Sequence, residues 1–252
     1  MFYSAARVAT ERPDRYVRQL VSHLGHEVQT DLAAEGRGTI TLSRGACALV
    51  PSAGRIDMIA KAGDVDGLAS VEDVVGRHLL RFATHDEFTV DWAPLVRPAA
   101  TTDDAALLAL DTTAWTPGSG FPSYLSKPRT SFFGEEKAPE HCLVAQIGGE
   151  VVGYVGVLPK FRLPEAAHVF VVRGLAVAAG ARRLGVASAL LSASERSAAD
   201  RGATKLSLQV LGGNAAAMAL YERHGYVVEG RSIDEFLIDG RYVDDVTMAK
   251  ML

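Results

Sequence analysis

The sequence predicts an α+β protein of two domains: a smaller α+β domain over residues 1–92, then a larger domain over residues 93–252 with a mixed, mostly antiparallel sheet flanked by helices. Three observations predict this. Short β-rich runs and helical patterns are interspersed along the whole chain. Gly148-Gly149 and Asp239-Gly240 each stand between two strand-like runs, where two-residue hairpin turns belong. Residues 91–98, Asp-Trp-Ala-Pro-Leu-Val-Arg-Pro, carry two prolines that end a helical pattern and mark a junction.

At 252 residues the chain can build two separate cores. Its 48% hydrophobic and 22% charged content is that of a globular protein, not a disordered one. A formal net charge of -4 argues against a sequence-independent grip on nucleic acid, which depends on Lys and Arg neutralising phosphates. The first residues lack the apolar run and small-residue cleavage site of an export signal, and no later run reaches membrane-spanning length. A cytoplasmic protein with neither nucleic-acid nor membrane partners is expected. Cys47 and Cys142 fall in different domains, which disfavours a disulfide framework.

In the N-terminal domain a strand-like opening leads to Thr10 and Pro13, start signals for a helix with Tyr16, Val17, Leu20, Val21 and Leu24 on one face. The β-rich runs 37–42 and 55–60 are expected to pair as antiparallel strands. Leu68, Val71, Val74, Val75, His78, Leu79 and Phe82 recur at helical spacing and predict a second helix. Past the junction, Thr101-Thr102-Asp103 reads as the cap of a helix reaching Thr113, and residues 116–122 as a loop. Runs 141–147 and 151–158 form a hairpin about Gly148-Gly149. An apolar strand, 169–177, passes through Gly180 into a helix over 186–199, followed by a strand at 205–211. A helix over 214–224 ends at Gly225, a natural left-handed cap, and the chain closes in a hairpin at Asp239-Gly240.

The chemically telling segment is Arg182-Arg183-Leu184-Gly185-Val186-Ala187, between an apolar strand and a helix start. A helix N-terminus presents unpaired N–H groups and about half a positive charge, a ready site for a pyrophosphate. Gly185 and Ala187 keep side-chain bulk away, while Arg182 and Arg183 add charge. A P-loop would need Lys and Ser/Thr where Val186 and Ala187 stand, and the dinucleotide pattern G-x-G-x-x-G is missing.

This Arg-x-x-Gly-x-Ala run, entered from Leu175-Ala176-Val177 and followed by Leu190-Leu191, resembles the acetyl-CoA-binding motif of GNAT-superfamily N-acetyltransferases. A downstream block, Asn214-Ala215-Ala216-Ala217-Met218-Ala219-Leu220-Tyr221-Glu222-Arg223-His224-Gly225-Tyr226, resembles the family's second block at every defined position. The Asp239–Asp245 hairpin is similar to that of many small-molecule GNAT enzymes.

The resemblance implies a GNAT fold in which two neighbouring strands diverge and the pantetheine arm of acetyl-CoA, the co-substrate, lies along Leu175, Ala176 and Val177. It implies that the amides of residues 183–188 (Arg183, Leu184, Gly185, Val186, Ala187, Ser188) hold the pyrophosphate, with Arg182 beside them. Tyr221 matches the general acid that protonates the departing thiolate, although a half-buried helix aromatic would look the same. Asn214 reads either as a helix N-cap or as a hydrogen-bond partner of the pantetheine arm. Glu165 and His168 stand near where the family often places its base, or in a solvated loop. Arg173 is a candidate contact for an anionic substrate, and Trp115, Phe121 and Tyr124 fit either an acceptor pocket or core packing.

The implied reaction is direct acetyl transfer from acetyl-CoA to a primary amine of a small molecule or peptide; the alternative is a non-catalytic acyl-CoA sensor coupled to the N-terminal domain. A homodimer is compatible with either. The N-terminal domain resembles a small bacterial domain family of unknown function, through Ala6-Arg7-Val8-Ala9-Thr10, Arg12-Pro13, Arg15-Tyr16, Gln19-Leu20, His23, His26, Leu80-Arg81-Phe82 and Val90-Asp91-Trp92. His23, His26 and His78 raise the question of a metal or siderophore-related module, but no Cys or carboxylate completes a ligand spacing and no metal site is assigned.

Overall fold

Because Pro13 fixes φ at a helix start and apolar residues then follow at three- and four-residue spacing, the first helix forms where its sequence places it. The computed structural model describes residues 1–83, 86–116, 118–126, 128–134 and 137–252; Pro117 of the expected loop 116–122 lies outside them. The chain divides into two compact units, Met1–Val96 with Gln146–Glu150, and Arg97–Ala145 with Val151–Leu252.

The first unit contains β1 (Phe2–Ala9), α1 (Pro13–Leu24), β2 (Gln29–Leu32), β3 (Gly38–Leu42), β4 (Gly45–Ser52), β5 (Arg55–Ala62), α2 (Val65–Phe82) and β6 (Ala93–Pro94). Its sheet runs β2-β3-β4-β5-β1-β6. Tyr16, Val17, Leu20, Val21 and Leu24 of α1 join Val71, Val75 and Leu79 of α2 and alternate strand residues such as Val8, Ile40, Cys47 and Met58 in one core. Each such large side chain removed from water is worth about 1.5–3 kcal/mol. Asp64 caps α2 by accepting from the Gly67 amide at 2.6 Å.

One expectation is corrected. Runs 37–42 and 55–60 do not pair with each other, because β4 lies between β3 and β5 and pairs antiparallel with both. His78 Nδ1 bonds the Val74 carbonyl at 2.7 Å, and its ring stands 5.5 Å from that of His23.

The second sheet takes the order β12-β13-β11-β10-β9-β8-β7. Its strands and helices are β7 (Val96–Pro98), α3 (Asp104–Ala114), α4 (Pro122–Leu125), β8 (Cys142–Ile147), β9 (Glu150–Pro159), β10 (Val169–Val177), α5 (Val186–Asp200), β11 (Lys205–Leu211), α6 (Ala215–Arg223), β12 (Val227–Ile238) and β13 (Arg241–Met251). Of the pairs whose register is resolved, β9–β10, β11–β13 and β12–β13 are antiparallel and β10–β11 is parallel, so the sheet is mixed and mostly antiparallel. Leu107, Leu110 and Ala114 of α3 pack on Cys142, Val144, Tyr154 and Ala176. Gly153 faces α5, where a Cβ would approach Leu190 and Val186 at 3.1 and 3.2 Å. Among the described residues no helix is long and apolar enough to cross a membrane.

Candidate active site

Strands β10 and β11 stay paired only from Val169–Val171 against Lys205–Ser207. Beyond that point β10 follows β9 as far as Val177, while β11 follows β13 as far as Leu211. The divergence has a local cause. At Gly174, φ +73, the β10 register slips between Arg173 and Leu175, and a bulge of this kind bends its strand. The wedge between the strands is a cleft of about 450 Å³, closed off by the end of α3, the start of α5 and one face of α6.

At the β10–α5 connection, Ala179–Ala181 forms a single 3-10 turn, Arg183 adopts φ 64 and Gly185 φ 85, and α5 starts at Val186. Leu184 and Val186 are buried and anchor the turn in the core. Among the described residues nothing accepts a hydrogen bond from the amides of residues 183–188. N–H groups without a protein acceptor at a helix start are donors that an anion can take. Gly185 stands there for its dihedral: a Cβ would meet nothing within 4 Å, but φ +85 disfavours every L side chain.

Of the residues singled out in the sequence, Leu175, Ala176, Val177, Arg182, Ala187, Asn214 and Tyr221 line the cleft. Arg182 does more than add charge. Its guanidinium donates to the carbonyls of Ala114 at 2.7 Å and Val177 at 3.2 Å, tying the end of α3 to the end of β10. Asn214 Oδ1 accepts from the Ala217 amide at 3.2 Å and caps α6. Two turns further along, the Tyr221 ring is 8% exposed, and burial pushes its phenol up to about 12.

Glu165 and His168 are not brought to this cleft. Both are exposed and precede β10, and seven residues of extended chain, roughly 23 Å at about 3.3 Å each, separate His168 from Leu175. The His168 carbonyl instead accepts from the amides of Thr204 and Lys205, at 3.0 and 3.2 Å.

Sequence reasoning missed a polar hub on the α3 side. Asp111, fully buried, accepts from Trp115 Nε1 at 2.7 Å, from the Tyr124 hydroxyl at 2.9 Å, and from Tyr154 and Arg129. Burial alone would raise its carboxyl, but the donors from Tyr154, Arg129 and Trp115 outweigh it and hold the group below the usual carboxylate range. Trp115 thereby stands at the cleft wall, and Tyr124 reaches Lys137 Nζ at 2.7 Å. Phe121 instead packs edge-on against Phe236, with centroids 4.8 Å apart. Beside the hub a small pocket is lined by Phe132, Lys137, His141, Cys142, Tyr154 and Arg173, among others.

Residues 106–226 match the family described as "Acetyltransferase (GNAT) family", and residues 5–93 match "Uncharacterized protein conserved in bacteria (DUF2218)". The N-acetyltransferase YhfO of Bacillus subtilis (strain 168) is 34% identical over 84 residues, 33% of this chain and 56% of that protein. The chain thus spans little more than half the length of that relative. The type 1 aminoglycoside N(6')-acetyltransferase of Klebsiella aerogenes is 29% identical over 140 residues, 54% of this chain and 91% of that enzyme. Two solved structures share the fold. The protein smu.2055 from Streptococcus mutans UA159 has a TM-score of 0.53 at 23% identity, covering 62% of this chain and 98% of its own. A GNAT-family acetyltransferase from Streptococcus pneumoniae has a TM-score of 0.51 at 23% identity, covering 63% and 98%.

Proposed function

Since residues 5–93 match the DUF2218 family and residues 106–226 match the GNAT acetyltransferase family, we propose that residues 93–252 move the acetyl group of acetyl-CoA directly to a primary amine of a small molecule or peptide. Residues 1–92 are read as the separate DUF2218 domain. One observation carries the proposal: the unpaired amides of residues 183–188 open beside a cleft formed by two diverging strands. An extended thiol arm ending in a diphosphate needs both features, a slot with free strand backbone and a cluster of N–H donors. When bound, acetyl-CoA supplies an activated thioester.

The chain's own residues would then act as follows. The amides of residues 183–188 grip the diphosphate, and the cleft-facing edge of β10 around Gly174–Val177 aligns the arm and offers N–H donors to charge developing on the thioester oxygen. The amine nitrogen forms the new C–N bond as the C–S bond breaks. Tyr221 gives its phenolic proton to the departing sulfur and regains one from solvent, while the amine loses its surplus proton to water. A phenol held up to about 12 stays protonated, as an acid should, throughout the neutral range.

The test is thiol release from acetyl-CoA against amino acids, polyamines, aminoglycosides and peptide N-termini. Tyr221→Phe should lower turnover by about 10²–10⁴-fold while acetyl-CoA still binds. Unchanged turnover in that variant would remove Tyr221 from the role of acid. The second reading, a non-catalytic acyl-CoA sensor, is favoured by the lack of any carboxylate or histidine among the described residues lining the cleft. It prevails if acetyl-CoA stabilises the protein and no amine in the panel is acetylated.

A further inference from the structure

The small pocket beside the cleft is lined by two cations, Lys137 and Arg173, and by no carboxylate among the described residues. Asp111, whose charge acts on Lys137, already pairs with Arg129 and accepts from Tyr154, Trp115 and Tyr124. Among the described residues neither Lys137 nor Arg173 makes an ion pair. Lys137 is instead held over the Phe132 ring at 4.4 Å, with its Nζ bonded to the Tyr124 hydroxyl at 2.7 Å. Lys137 and Arg173 thus both line a concavity walled by Phe132, Cys142, Tyr154 and Leu158, and among the described residues the charge of Asp111 reaches Lys137 without forming an ion pair with it. Such an arrangement selects an anion.

The pocket is also matched in size and place. At about 20 Å³ it holds one group the size of a water molecule or one end of a carboxylate, not a whole metabolite. Gly156 lines the pocket as the register partner of Arg173, and a Cβ there would sit 2.5 Å from the Arg173 carbonyl oxygen, so the strands meet here only because the residue is glycine. The bulge at Gly174 joins this pocket to the cleft: Gly174 lines the cleft, Tyr154 lines the pocket, and a Cβ at Gly174 would be 3.5 Å from the Tyr154 hydroxyl. The pocket and the cleft therefore approach each other where Tyr154 meets Gly174.

We propose that this pocket is the subsite for a carboxylate of the acceptor, so that the acceptor is an amine with a carboxylate a few bonds away, the α-amino acid class. Arg173 is the specificity-determining residue and Lys137 its support. The assignment rests on the acetyl-transfer reading for the identity of the ligand as an acceptor, but not for the charge preference itself. The same positive charge disfavours polycationic amines and favours the neutral, nucleophilic form of an amine bound nearby, in a cleft with no carboxylate or histidine among the described residues that line it.

The experiment is calorimetric titration of the full chain, with and without CoA, using alanine, leucine and methionine, each beside its carboxamide. Steady-state thiol release with the same compounds runs in parallel. At least one acid should bind about tenfold or more tightly than its amide, as expected for a charge-assisted contact. Arg173→Gln should erase that ratio by weakening the acid alone, and Arg173→Lys should restore part of it. Arg173 is exposed, so neither change disturbs the core, and an unshifted melting curve verifies this. Equal binding of acid and amide overturns the proposal, as does discrimination that survives Arg173→Gln or an absence of acid binding at millimolar concentration. Discrimination without any thiol release would instead refute the acetyl-transfer reading and leave the carboxylate subsite standing.

Discussion

Gly185→Ala separates the two reasons for having glycine at the turn before α5. A Cβ there meets no atom within 4 Å, so no clash contributes. What remains is φ +85, which costs an L residue about 1–2 kcal/mol, partly offset by about 0.4–1 kcal/mol from the stiffer unfolded chain. A net loss of about 1 kcal/mol lowers Tm by about 2–4 °C for a domain of this size. Gly180→Ala is the internal control: its Cβ is equally free and its φ is not positive, so it should be neutral or slightly stabilising. Gly185→Asn should fall between the two, because Asn tolerates the left-handed region better than Ala. Relief of the strain by rotation about residue 185 would turn the following amides away, and each lost charge-assisted bond should weaken acetyl-CoA about tenfold or more by titration. Thermal melts and titrations of the three variants decide the matter. Equal melting of the Gly185→Ala and Gly180→Ala proteins, with equal acetyl-CoA affinity, would refute both the strain and the diphosphate assignment.

Two further outcomes are expected. Asp111→Asn strands the Arg129 guanidinium beside a neutral amide and should cost about 3–5 kcal/mol in urea denaturation at pH 7. The folded Asp111 carboxyl lies below its usual range, so its contribution is complete above the unfolded value of about 3.9 and is lost as pH falls through the folded one; a gap between native and variant that stays constant down to pH 2 would contradict this. Cys47 and Cys142 are buried, and burial pushes both thiols up to about 12. A thiol reagent at pH 8 should therefore leave both untouched in the native protein and modify both in urea, whereas rapid native labelling of either would show its burial to be wrong.

What was legible in the sequence was local. Tyr16 to Leu24 and Leu68 to Phe82 reveal their helices because one face of each is apolar at helical spacing, and Gly148-Gly149 marks its hairpin because the turn demands such residues. Strand β4 escaped notice because Gly-Ala-Cys-Ala-Leu-Val-Pro-Ser is buried without alternation and rich in weak strand formers, and the pairing of its two neighbours was misjudged for that reason. The turn from Arg182 into α5 was legible because consecutive residues make it, with Gly185 at the left-handed position before the helix. Asp111 was not, since its partners Arg129 and Tyr154 lie 18 and 43 positions away and a lone helix aspartate reads as solvated surface. Glu165 and His168 were legible as residues ahead of β10, but the extended strand that separates them from the cleft lining shows only in three dimensions.

The engagement of Arg182 with Ala114 and Val177 has a consequence for how such a site can evolve. A side chain that grips a ligand can be exchanged without disturbing the scaffold, but this one is a cross-beam. On the proposed reading the ligand's charge is left to peptide dipoles, which carry no proton to lose and cannot swing aside. Recognition of that kind would be written into the path of the main chain, and selection could alter it only by redrawing that path.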